Sequence, residues 1–185
     1  MPDGRAQGLQ PLGRPFTLPA GKGRAVLVGG GCGAPSMLFL AQTLKRMGVE
    51  TAIAIGAKTA CSLLEEKAMR QACARFEAAT DDGSAGLKGH SVMAAEKILE
   101  SWDGGDVRLY ACGPSPMLRA LSALAEKRGL FCEVSLEERM ACGFGVCNGC
   151  VVRVKAPDLP EGFRYKKVCH DGPVFNSRDI AWDMA

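Results

Sequence analysis

The sequence lacks the features that would direct it to a membrane or to a nucleic acid. Its formal net charge is only +3, because 23 Lys and Arg stand against 20 Asp and Glu, so no basic surface for either partner is predicted. The most apolar window, residues 25–41, is broken by Gly and Pro and does not predict a membrane span. The N-terminus shows no signal-peptide pattern, and no internal repeat is visible.

Cysteine, by contrast, is abundant. The chain has nine cysteines and no secretory signal, which indicates a reducing compartment where clustered thiols are more often metal ligands than disulfides. We therefore expect a cytoplasmic protein with a metal site.

The chain divides into three parts, residues 1–23, 24–135 and 136–185. The first contains four Pro and five Gly, which predict a linker.

In the second part, residues 24–135, short apolar runs alternate with segments of helical periodicity. One helix is marked by Ser115 as N-cap, Pro116 at its first position and Gly129 as its stop. The apolar runs are residues 25–28, 51–55, 74–78, 107–111 and 130–134. This alternation predicts an α/β fold with a doubly wound, parallel, five-stranded nucleotide-binding sheet.

Residues 136–185 predict a small cysteine-rich [2Fe–2S] domain, with a hairpin formed by residues 151–154 and 165–168. Three cysteines are separated by gaps of four and two residues, and a fourth follows after 18. They are Cys142, Cys147, Cys150 and Cys169. This is the spacing of plant-type [2Fe–2S] ferredoxins.

Glycines between these cysteines are expected to take positive φ angles and so turn backbone N–H groups toward the cluster sulfurs. They are Gly143, Gly145 and Gly149. A structural zinc is an alternative, although zinc sites favour paired C-x2-C knuckles and only one such pair is present. Inert buried thiols are a third alternative, and this is the prediction for Cys61, Cys73 and Cys132 in their apolar segments.

Three loops are expected to meet at the carboxyl edge of the sheet, where doubly wound folds bind ligands. The first is Gly-rich and would bring a pyrophosphate to a helix N-terminus; the second offers hydroxyls and carboxylates to a ribose or an amide. The predicted cofactor-binding residues are Gly29, Gly30, Gly31 and Gly33, then Thr80, Asp81, Asp82, Gly83 and Ser84, and finally Cys112, Gly113 and Pro114. Taken singly, the first two loops have a plainer alternative, a tight or polar turn.

These motifs resemble a known family. Residues 29–35, 80–84 and 111–114 are similar to the NAD-binding half of the ferredoxin–NADP reductase superfamily, and residues 136–150 with 165–175 resemble the electron-transfer subunit of class 1B dihydroorotate dehydrogenase. The resemblance implies that electrons pass from the catalytic subunit's FMN through the cluster and FAD to NAD⁺, in pyrimidine biosynthesis. It also implies that the four spaced cysteines are the cluster ligands and that the three loops form the pyridine-nucleotide crevice.

The family's members begin with a β-barrel of roughly a hundred residues, the size of a small domain, which holds most of the FAD. Only a short piece precedes residue 24 here, and residues 11–16 resemble the connection between the barrel and the nucleotide domain. Residues 1–23 are thus a linker or a remnant of that barrel. The sequence is then a piece of a longer chain, half of a split protein or a shortened relative, and we expect this chain alone to bind FAD weakly.

Two other functions stay open. Related subunits serve hydrogenases and NADH-dependent ferredoxin or sulfur reductases, so the partner would be another redox subunit instead of the dihydroorotate dehydrogenase catalytic subunit. In a different class, the chain would be a non-catalytic metal-binding module that organises a complex.

Overall fold

The computed structural model describes residues 12–102 and 105–182. Nine strands lie in these ranges. They are β1 Arg24–Gly30, β2 Glu50–Ala57, β3 Arg75–Thr80, β4 Leu87–Lys88, β5 Val107–Cys112, β6 Phe131–Ser135, β7 Val151–Lys155, β8 Phe163–Lys167 and β9 Val174–Asn176. Seven strands form one sheet in the order β4-β3-β2-β1-β5-β6-β9, and β7 and β8 form a separate antiparallel hairpin.

Helices cover both faces of the main sheet. They are α1 Ala34–Arg46, α2 Glu66–Ala72, α3 Ser91–Ser101 and α4 Ser115–Lys127, with the short α5 Val168–Asp171 beyond β8. Helices α1 and α2 bury Met37, Leu44 and Met69 against one face, while α3 and α4 bury Ile98 and Leu121 against the other. A parallel sheet that helices cover on both faces has strands that are apolar along their whole length. This arrangement is the doubly wound α/β fold that the sequence predicts.

All five predicted strands are present, and the sheet has two more. Strand β4 is only two residues long, and β9 pairs antiparallel with β6. Because β9 lies in the predicted cluster domain, the end of that domain completes the edge of the nucleotide-binding sheet. The helix predicted with Ser115 as its N-cap is α4, and it begins one residue earlier than expected, because Pro114 is the N-cap and Ser115 the first helical residue.

Residues 1–11 of the predicted linker lie outside the described residues, but its later part, residues 12–23, is docked on the sheet. The backbone N–H and hydroxyl of Thr17 donate to the carboxylate of Glu133 at 2.7 and 2.8 Å. The hydroxyl of Tyr110 donates to the Thr17 carbonyl at 2.8 Å, and the Arg14 N–H donates to the carbonyl of Gly172. This segment therefore joins the sheet to the C-terminal domain.

Within the described ranges, no helix combines the length and the apolar character that crossing a bilayer requires.

Candidate functional site

The predicted nucleotide loops meet at the carboxyl edge of the sheet, around a pocket of about 270 Å³. Four of the predicted residues line it: Gly30, Gly31, Asp81 and Pro114. Sequence reasoning missed the residues at the end of β2 and those that begin α3. These are Gly56, Ala57 and Lys58, then His90 and Ser91, with Met117 of α4. The signal for the first group was available, because β2 ends at the same edge of a parallel sheet as its neighbours.

The glycines of the first loop serve two purposes. Gly31 has a φ of +52°, and the space where a side chain would begin holds no atom within 4 Å, so this residue leaves the crevice open. At Gly33, a Cβ atom would lie 2.4 Å from the backbone carbonyl of Cys112. Gly33, like Gly29 next to Ala34, is thus required for close packing.

Most polar side chains of the second loop hold the loop itself. The buried Thr80 hydroxyl donates to the Ala85 carbonyl at 2.9 Å and accepts from the Ala85 N–H at 3.0 Å. The Asp82 carboxylate accepts from the hydroxyl and the N–H of Ser84 at 2.6 and 2.9 Å, and these bonds lower the pKa of Asp82 below its ordinary value. Gly83, with a φ of +79°, makes the turn. Asp81 is the carboxylate of this loop that lines the crevice.

The third loop connects the crevice to the cysteine-rich domain. Cys112 is buried at the end of β5, and burial raises the pKa of its thiol although the hydroxyls of Ser36 and Ser135 act in the opposite direction. Its Sγ lies 3.9 Å from Oε1 of Glu137, the second residue after β6. Gly113 follows with a φ of +156° and would place a Cβ 3.0 Å from the Gly30 carbonyl oxygen, so the first and third loops are in contact.

The four spaced cysteines come together as two pairs. The Cys147 N–H donates to Sγ of Cys142 at 3.5 Å, and the Cys169 N–H donates to Sγ of Cys150 at 3.4 Å; the thiols within each pair also contact each other. In the part of the chain that the structure describes, no three His, Cys, Asp or Glu side chains converge on the position of a single metal ion. Two pairs of thiols are the ligand set that the two irons of a [2Fe–2S] cluster would require.

The loop favours the charged form of one of these thiols, Cys142. The N–H groups of Cys147 and Phe144, and then that of Val146, lower the pKa of Cys142 to about 6, and the thiolate is the form that binds metal. In the other pair, hydrogen bonding between the two thiols raises the pKa of Cys169.

The glycine pattern of this loop differs in one position from the prediction. Gly143 and Gly145 have φ angles of +74° and +89° as expected, but the third positive φ, +56°, belongs to Asn148 and not to Gly149. The Gly149 N–H instead donates to Sγ of Cys147 at 3.4 Å. Backbone N–H groups therefore do point at the sulfurs, as the glycine spacing predicts.

The cysteine pairs differ in exposure. Cys150 and Cys169 are buried, whereas Cys147 is exposed. Large apolar side chains surround the exposed side, where Met140 and Phe144 are each 47% exposed and Val146 is 70% exposed. The core prediction for the other cysteines is confirmed for Cys132, but Cys61 is exposed in a short turn after β2.

Comparison with known proteins agrees with this geometry. Residues 137–181 match the iron-sulfur cluster binding domain of dihydroorotate dehydrogenase B. The dihydroorotate dehydrogenase B (NAD(+)) electron transfer subunit of Desulforamulus reducens is 35% identical over 182 residues, a match that covers 98% of this chain and 68% of that relative. The chain belongs to this family of electron transfer subunits.

Subunits with the same description from Geobacillus thermodenitrificans and Caldanaerobacter subterraneus are also members of the family. They are 42% identical over 182 residues and 38% identical over 171 residues, covering 97% and 92% of this chain. The matches cover 66% and 64% of these relatives, so the chain spans just under two thirds of their length.

A solved structure with a similar fold is that of an NADH-dependent reduced ferredoxin-NADP oxidoreductase, studied for flavin-based electron bifurcation. The TM-score is 0.79 at 28% identity, and the match covers 95% of this chain and 60% of that one. The resemblance that the sequence motifs indicate is thus confirmed at the level of family and of fold.

Proposed function

We propose that this chain is the electron-transfer part of a cytoplasmic dihydroorotate dehydrogenase B, and that it passes electrons between a [2Fe–2S] cluster, flavin and NAD(H) in pyrimidine biosynthesis. The observation that carries the proposal is the contact between Cys112 and Glu137. It brings the start of the cysteine-rich segment to the edge of the nucleotide crevice. Membership of the family supports the dihydroorotate dehydrogenase catalytic subunit as the partner.

The residues that would hold the cluster are Cys142 with Cys147 as one pair, and Cys150 with Cys169 as the other. When bound, the cluster supplies one-electron transfer. The N–H groups of Cys147, Phe144 and Val146 stabilise negative charge at Cys142. Cys150 and Cys169, the inner pair, are buried and so shielded from water. Cys142 and Cys147, the outer pair, are accessible to a partner through the exposed Cys147.

The crevice residues are proposed to bind NAD(H). Helices α3 and α4 begin at the pocket, with His90, Ser91 and Pro114 in its lining, and a helix N-terminus favours phosphate. Lys58 adds a positive charge beside them. The Asp81 carboxylate would accept hydrogen bonds from ribose hydroxyls, and Gly31 leaves room for the ligand. The other predicted residues would act indirectly, by giving these loops their shape. They are Gly29, Gly33, Thr80, Asp82, Gly83, Ser84, Cys112 and Gly113. FAD belongs to the family expectation, and weak FAD binding by this chain alone stays a prediction.

The solved structure described above supports a second candidate, an electron-transfer subunit for a ferredoxin-dependent partner. The identity to that structure is 28%, whereas the curated relatives reach 35–42%. The higher identity favours the dihydroorotate dehydrogenase partner.

The proposal is tested by purifying the chain under argon and measuring iron and acid-labile sulfide. We expect about two irons and two sulfides per chain, and co-purification with a co-expressed dihydroorotate dehydrogenase catalytic subunit. Stoichiometric zinc without sulfide would show that the site is structural. A cluster-loaded chain that associates with a ferredoxin-dependent subunit instead would select the second candidate.

A further inference from the structure

Lys167, the last residue of β8, reaches back into the loop that carries three of the spaced cysteines. Its ammonium donates to the carbonyl oxygen of Gly145 at 2.8 Å in a partly buried position. The backbone of Lys167 is fixed as well, because its N–H donates to the Asp171 carboxylate at 2.8 Å and its strand position is paired with Val151. The hairpin therefore holds this cation against the loop.

The carbonyl of Gly145 lies in the loop between Cys142 and Cys147, and the backbone N–H of Cys147 donates to Sγ of Cys142 at 3.5 Å. Lys167 therefore places a positive charge on the backbone of the loop that carries this thiol pair. Because the ammonium is partly buried, solvent and salt screen its charge less than that of an exposed lysine.

The opposite side of Gly145 is closed. A Cβ atom at Gly145 would lie 3.2 Å from Cβ of His170, whose ring packs against the loop. His170 therefore limits the space beside this loop.

We propose that Lys167 raises the reduction potential of the cluster by holding its positive charge at the Gly145 carbonyl, within the loop that carries Cys142 and Cys147. The inference rests on the proposed function, because it requires the cluster. Reduction takes one electron from a reduced flavin, transfers no proton and breaks no bond, so the net negative charge of the site increases by one. A fixed cation stabilises the more negative state.

The test is a redox titration of the full chain with dithionite, followed by visible absorption and electron paramagnetic resonance. Lys167→Met should lower the potential by about 59 mV, a tenfold change in the ratio of reduced to oxidised cluster for a one-electron couple, with iron and sulfide unchanged. Lys167→Arg should keep the wild-type potential. Lys166→Met is the matched control, since it removes the same charge from the opposite face of the strand, and it should shift the potential much less.

Equal potentials in the wild type, Lys167→Met and Lys166→Met would overturn the inference, and so would a lowered potential in Lys167→Arg. If Lys167→Met loses its iron, Lys167→Gln is titrated in its place, because glutamine keeps a hydrogen-bond donor for the Gly145 carbonyl without the positive charge. A lowered potential in Lys167→Gln supports the inference, and a wild-type potential overturns it. A wild-type chain that holds no cluster overturns the proposed function itself, and this inference with it.

Discussion

The nucleotide-binding sheet and the cysteine-rich segment are stabilised in different ways. The largest fully buried side chains of the described residues, such as Leu27, Met37 and Ile53, lie almost entirely in residues 24–135. In residues 137–172 few side chains are buried, and two of them are the thiols Cys150 and Cys169. The sheet is therefore held by its apolar core, whereas the segment beside it depends on what its thiols bind, because a core so small requires a metal or another cross-link.

The largest effect is expected from removing a thiol of the cysteine-rich segment, because only that segment should depend on the metal. Cys147→Ser should lose nearly all of its iron, because one iron would keep a single thiolate. Metal-binding energy is folding energy in such a domain, so hydrogen-exchange protection should fall across residues 137–172. Strands β1, β2 and β5 should stay protected. The measurement is iron analysis combined with hydrogen exchange followed by mass spectrometry.

Cys61→Ser is the matched control, because Cys61 is an exposed cysteine of the sheet region. It should keep its iron and its exchange pattern. A Cys147→Ser protein with wild-type iron would remove Cys147 from the ligand set. Loss of protection in β1 together with the segment would show that the sheet, too, depends on the metal.

The second largest effect is expected on binding of the partner, and it compares an exposed aromatic side chain in each of the two regions. Phe144 stands beside the outer thiol pair and is 47% exposed, which suits the core of a protein interface. Phe144→Glu should weaken association with the dihydroorotate dehydrogenase catalytic subunit by about 2 kcal/mol or more, as at other aromatic hot spots, and leave the visible spectrum intact. Surface plasmon resonance measures the affinity.

The sheet region offers a control in Phe39, which is 71% exposed on α1. Phe39→Glu should bind the catalytic subunit like the wild type. If Phe144→Glu loses its cluster but still binds the subunit, Phe144 shields the cluster from water and the docking surface lies elsewhere.

The same contrast explains how much could be predicted from the sequence. Strands such as β1 and β5 are apolar along their length because helices cover both faces, and this pattern is local. Strand β9 was missed because its three residues become a strand only by pairing with β6. The exposure of Cys61 was also missed, since an apolar neighbourhood in sequence does not show that the segment turns away from the core.

At the cysteine site, too, local features could be predicted from the sequence whereas long-range contacts could not. Spacing alone indicated the four thiols and the direction of the loop N–H groups. The contact of Lys167 with Gly145 spans 22 residues and depends on the return of the hairpin, so no local pattern reveals it. In the second crevice loop, the sequence could not separate the carboxylate that lines the crevice from the one that holds the turn.

The smallest expected effect distinguishes the two carboxylates of this loop, Asp81 and Asp82. Asp81→Ala should raise the Kd for NADH about tenfold, near 1.4 kcal/mol, the order expected for a hydrogen bond to a charged group. Asp82→Ala should leave the Kd unchanged but lower the melting temperature, because the Ser84 N–H and hydroxyl lose their acceptor. Calorimetric titration and thermal unfolding of the cluster-loaded chain measure both, and iron content should stay constant. If Asp82→Ala weakens NADH as much as Asp81→Ala, the shape of the loop controls the affinity and Asp81 makes no contact of its own.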